Sequence, residues 1–187
     1  MPKLSKGLLA AFVVTTLAGA CLHFLYTLLP NPVTALLAPV NESLWEHLKI
    51  LVWPYLAAML LLTRNGPPGC RTPWLLTVPV LSAAMLGLGW LYHMTLGGEA
   101  LAVDIGLYVV LMAVGFLLPE VLDGASEHPL LGTLAVLVVL ALAAAMILAL
   151  STGPRVLPWA AASSWALAQA SSGVIWAAAS FSWSSKV

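Results

Sequence analysis

The sequence predicts an all-α protein, a polytopic integral membrane bundle of five or six transmembrane helices. Three observations carry this. Hydrophobic residues make up 61% of the 187, against roughly 45–50% apolar residues in ordinary soluble domains. Mean hydropathy is +1.01. Apolar runs long enough to cross a hydrocarbon core, which takes about 20 residues, follow one another with short connections. The chain therefore reads as a single membrane domain over residues 1–187, with no room for a soluble one.

The first span covers about 7–29. Lys3 and Lys6 precede it, and Ala18-Gly19-Ala20 before Cys21 resembles a small-residue cleavage site. The apolar run continues through Leu22, Phe24, Leu25 and Leu28, which is too long for a signal sequence, so an uncleaved helix is expected. Pro30-Asn31-Pro32 ends it as a turn. After a short connection through Pro39, Asn41 has the residue type of a helix N-cap, and Glu42 suits the positive end of the helix dipole. They open a second span at about 41–63, with Pro54 expected to kink it.

The stretch from Arg64 to Arg71 is a Gly/Pro-rich loop. The third span, about 73–96, is broken by Gly97-Gly98. The fourth, about 100–118, is expected to end at Pro119, before an acidic connection with Glu120, Asp123, Glu127 and His128. The fifth runs over about 129–150. Residues 156–182, rich in Ala, Ser and Trp, read as a sixth span or an interfacial helix, and a span is the favoured reading.

Seven basic residues balance seven acidic ones, so no positive field is available to gather nucleic acid. Position matters more. Lys3, Lys6, Arg64, Arg71 and, with six spans, Lys186 fall on one side, and Lys49 and Arg155 on the other. That bias predicts a multi-pass cell-membrane protein with its N-terminus in the cytoplasm. Cys21 and Cys70 fall at different depths or sides, and no disulfide is expected.

Only 7% of the chain is charged, yet Asn41-Glu42-Ser43-Leu44-Trp45-Glu46-His47-Leu48-Lys49 gathers two carboxylates, an imidazole and an ammonium at one membrane-proximal point. At 100° per residue Glu42, Glu46 and Lys49 share one helix face, and Ser43 and His47 another. Either carboxylate can then neutralise Lys49, leaving His47 to face other helices. Because consecutive spans alternate in direction, His23, this stretch, His93 and Asp104 are all expected at one end of the bundle. Small and polar stripes support close packing there: Thr16, Gly19, Ala20, His23 and Thr27; Ser82, Gly89, His93 and Gly97; Asp104, Tyr108 and Gly115.

Three imidazoles and a carboxylate suit Zn²⁺ and an activated water. His23, His47 and His93 are the candidate ligands and Glu46, Asp104 and Glu42 the candidate acid–base groups, with Asn41, Ser43, Lys49 and Tyr26 around them. The same groups equally suit a proton or cation relay. The plain alternative is an interfacial cap anchored by Trp45 and Lys49. There is no P-loop, HExxH, GxSxG or Cys-based zinc pattern.

His23-x-x-Tyr26 followed by Pro39-Val40-Asn41-Glu42-Ser43-x-Trp45-Glu46-His47-x-Lys49 resembles an uncharacterised family of small bacterial polytopic membrane proteins. That resemblance implies a membrane location and makes the motif central without supplying chemistry. A fainter likeness, through Asn41-Glu42-Ser43-x-Trp45-x-His47, Tyr92-His93 and Asp104, is to the superfamily of alkaline ceramidases and progestin/adiponectin-type receptors, an analogy at the level of the site. The leading expectation is a membrane-embedded metal-dependent hydrolase acting on a lipid or other amphipathic substrate in the bilayer. The rivals are a small proton- or cation-coupled transporter or its membrane subunit, and a non-catalytic partner protein.

Overall fold

A computed structural model describes residues 6–98 and 100–152. The expected sixth span lies outside the described residues. Five long helices form the bundle: α1 (Lys6–Leu28), α3 (Leu44–Leu62), α4 (Thr72–Trp90, extended by a π-helical turn Leu91–Thr95), α5 (Leu101–Val121) and α6 (Pro129–Thr152). All five are long and apolar enough to cross a membrane. A six-residue helix, α2 (Pro32–Leu37), and a 3₁₀ turn (Asp123–Glu127) lie in the connections. Among the described residues the fold is all-α, as expected from the length of the apolar runs.

Helix α3 is the most enclosed of the five. Its Leu48, Leu51, Val52 and Tyr55 meet Val78 and Leu81 of α4 and Met112 and Phe116 of α5 in the core. Helix α1 packs on α3 and α5, and α4 on α3, α5 and α6. Large apolar side chains such as Val14, Leu61, Val110 and Leu140 are exposed outside this core, as on a surface solvated by lipid. Buried hydroxyls are spent locally: Thr77 donates to the Pro73 carbonyl and Ser82 to that of Val78, each at 2.9 Å. In hydrocarbon this avoids an unpaired polar group.

Two prolines explain how the helices lock together. Helix α5 does not stop at Pro119 but continues to Val121. Proline has no N–H to return to the Gly115 carbonyl. The Tyr55 hydroxyl supplies the missing donor at 2.8 Å, so α5 continues and is tied to α3. In α3, Pro54 likewise withholds an N–H from the Ile50 carbonyl. Gly19 of α1 sits directly against that carbonyl and against the Tyr108 hydroxyl, leaving no room for a Cβ. The same hydroxyl donates to the Thr16 carbonyl at 3.0 Å, which joins α1 to α5 beside the glycine.

Helix α2 was not legible as an element. It is short, but its ends are satisfied. Asn31 and Thr34 form a capping box at its start. At its end the Lys49 ammonium donates to the Ala35 carbonyl at 2.9 Å and the Trp53 indole to the Leu36 carbonyl at 3.1 Å. Such ends would otherwise carry unpaired carbonyls.

Candidate functional site

The residues from Val40 to Glu42 form bends, and α3 begins at Leu44 after Ser43. Ser43, not Asn41, is the N-cap: its side-chain oxygen accepts from the Glu46 N–H at 3.3 Å. Asn41 lies two residues earlier and accepts from the Ser43 N–H at 3.0 Å through its own side chain. This shift corrects the helical-wheel expectation. Glu42 precedes the helix, so it does not share a face with Glu46 and Lys49.

The two carboxylates therefore take different work. Glu46 and Lys49 form a buried ion pair, Oε2 to Nζ 2.6 Å, with side-chain exposures of 6% and 0%. The same Oε2 accepts from the Val40 N–H at 3.0 Å. Together with the Lys49 bond to Ala35, the pair clamps α2 and the bend at Val40 onto α3. Charges this deeply buried need partners of this kind. Lys49 is thus an internal structural cation.

Glu42 turns the other way, toward the histidines. Its Oε2 lies 3.3 Å from His47 Nε2 and its Oε1 4.0 Å from His23 Nε2. The His23 and His47 ring centroids are 5.2 Å apart. One ligand atom from each of His23, Glu42 and His47 lies within 4.8 Å of the others. The hydrogen bond from His47 holds the Glu42 carboxyl below its ordinary value, against the opposing effect of partial burial. The Glu42 side chain is half exposed, so the group opens outward.

The His47 ring is aimed by its other nitrogen. Nδ1 lies 2.8 Å from the Ser43 carbonyl. A carbonyl only accepts, so Nδ1 carries a proton; Nε2 carries a second one when it donates to Glu42, and is the nitrogen left to bind an ion once that proton leaves. His93 repeats this plan one helix away. Its Nδ1 meets the Gly98 carbonyl at 2.9 Å and its Nε2 meets Asp104 Oδ1 at 3.0 Å. The π-helical turn over Leu91–Thr95 and Gly97, with φ of 64°, bring the Gly98 carbonyl back onto the ring. The Tyr92 hydroxyl accepts from the Ala100 N–H at 3.0 Å, which ties this turn to the start of α5.

His23, His47, His93 and Asp104 thus come from four different helices, and among the described residues the group that can close on one ion is His23, Glu42 and His47. His93 stands with Asp104 instead of joining that group. Tyr26 is half-buried one turn beyond His23. The orienting carbonyls of Ser43 and Gly98 are backbone atoms, for which side-chain patterns hold no signal.

Fold and cluster together define a polytopic helical bundle with a His/Glu group capable of holding a metal at one end. A family model described as a family of unknown function, DUF6512, matches residues 1–163, and the chain belongs to that family. Comparison with curated proteins and with solved structures finds no match.

Proposed function

We propose that this protein is a metal-dependent hydrolase of the cell membrane that cleaves a lipid or similarly amphipathic substrate at the bilayer surface. The observation that carries the reading is the meeting of His23, Glu42 and His47 within 4.8 Å. Two imidazoles and one carboxylate form a donor set of catalytic zinc sites, which leave a further position for water or substrate. Ligands at about 2.0–2.2 Å from a tetrahedral ion stand about 3.3–3.6 Å apart. The His47–Glu42 separation of 3.3 Å already meets this. His23 lies 4.0 Å from the other carboxylate oxygen, Oε1, so bringing all three ligands onto one ion needs a small movement of Glu42, which its position ahead of the helix permits.

Zinc, when bound, would supply Lewis acidity toward a carbonyl and make a neighbouring water a better nucleophile. The chain's own residues would do the rest. His47, with its Nδ1 proton engaged by Ser43, keeps Nε2 available as a ligand. Asp104, oriented by His93, is the candidate for taking and returning a proton. Glu46, committed to Lys49 and Val40, holds the site's framework. The basic residues Arg64 and Arg71 belong to the opposite end of the bundle, which supports a cytoplasmic N-terminus and a site opening outside the cell. A coupled transporter is less well supported, because Thr63, Thr77 and Ser82 spend their hydroxyls on carbonyls of their own helices.

The test is chelator-stripped protein in nanodiscs, assayed with and without added Zn²⁺ on an extracted bacterial lipid mixture with mass-spectrometric product detection. Zinc-dependent release of fatty acids or other cleavage products, lost in Asp104→Asn, is the expected result. Stoichiometric zinc with no product from any lipid class would refute the hydrolase and leave the metal centre standing.

A further inference from the structure

At the opposite end of the bundle, the loop between α3 and α4 borders an open hollow of about 330 Å³ lined by Thr63, Arg64, Cys70, Arg71 and the Gly/Pro turn between them. Three of its backbone N–H groups are engaged: Gly66 N–H donates to the Thr63 carbonyl, Cys70 N–H to that of Pro67 and Thr72 N–H to that of Gly69. The charged groups lining it are the two guanidiniums. Arg71 is oriented, its Nε donating to Thr63 Oγ1 at 3.2 Å, while that hydroxyl donates in turn to the Met59 carbonyl. The acidic turn is adjacent, with Gly69 packed against the Ser126 backbone. Yet among the described residues neither arginine forms an ion pair with Glu120, Asp123 or Glu127.

We propose that this hollow binds the phosphate of an anionic membrane phospholipid, with Arg64 and Arg71 as its two charged contacts. Planar guanidiniums suit phosphate oxygens through paired N–H donors. A basic recess at the end of spanning helices is a site type that takes lipid headgroups. The adjoining last turn of α3 presents Leu60, Leu61 and Leu62 outward, 40–69% exposed. These give acyl chains a path down the helix from the headgroup, which selects a lipid over the free anion. The proposal is independent of the His/Glu group at the other end.

The experiment is native mass spectrometry of the full chain released from mixed micelles containing phosphatidylglycerol and phosphatidylcholine, for wild type, Arg64→Ala/Arg71→Ala and Arg64→Lys/Arg71→Lys. Wild type should retain the anionic lipid preferentially, and excess inorganic phosphate should not displace it. Two charges each worth roughly a five-fold factor predict a loss of about twenty-five-fold in that preference for the double alanine variant. The double lysine variant keeps the charge and should lose less. Equal retention of both lipids by wild type, an unchanged preference in the double alanine variant, or displacement by inorganic phosphate would overturn the proposal.

Discussion

Glu46→Gln tests whether the site's framework rests on a buried charge pair. Lys49 has a fully buried side chain, 2.6 Å from Glu46 Oε2 and 2.9 Å from the Ala35 carbonyl. Removing one partner of a buried pair leaves a charge without compensation and costs about 3–5 kcal/mol. Glutamine can still accept from Lys49 and the Val40 N–H, so the lower end, about 3 kcal/mol, is expected. Lys49→Met should cost at least as much, since it also strips the Ala35 carbonyl of its donor, a loss of about 1–3 kcal/mol. The double variant has no unpaired charge. It should be more stable than the sum of the single losses by about 2–3 kcal/mol. Equilibrium unfolding in mixed micelles, followed by tryptophan fluorescence, measures all four proteins. Single losses below about 1 kcal/mol, the range of exposed pairs, or strict additivity would refute the reasoning.

Two further outcomes follow from the same geometry. Tyr55→Phe should cost about 1–3 kcal/mol in the wild type, because it strips the Gly115 carbonyl of its donor; it should cost far less in Pro119→Ala, where the helical N–H returns, and equal costs in the two backgrounds would disprove the substitution of donors. For pH, the folded Glu42 carboxyl lies below its ordinary value of 4.5 because of the His47 hydrogen bond. A depressed carboxyl contributes stability that is complete above the ordinary value and is lost as pH falls through the lower folded one. Metal-free protein should therefore lose stability on acidification below 4.5, and Glu42→Gln should remove that part of the pH slope. An identical acid limb in the variant would contradict the pairing.

The five spans were legible because apolar runs of helical length have few alternatives in lipid. Helix α2 was hidden because six residues carry no periodic signal, and its ends depend on Lys49 and Trp53 from another element. Pro119 misled for a similar reason: a local stop rule gave way to a tertiary donor, Tyr55. At the site, topology was enough to bring His23, His47, His93 and Asp104 toward one end. It could not decide which of them meet. Helical spacing does not extend to Glu42, which precedes the helix and so turns to the histidines while Glu46 takes Lys49. His93 is drawn to Asp104 by a π-helical turn and a glycine carbonyl, neither of which side-chain spacing encodes.

The most direct test of the metal centre is zinc K-edge absorption spectroscopy on protein incubated with excess Zn²⁺ and then desalted, comparing wild type with Glu42→Gln and His93→Ala. The geometry predicts one zinc per chain, with two imidazoles and one carboxylate at about 2.0–2.2 Å. The carboxylate contribution should disappear in Glu42→Gln, and the imidazole count should not change in His93→Ala. No stoichiometric zinc, or a third imidazole lost with His93, would contradict it.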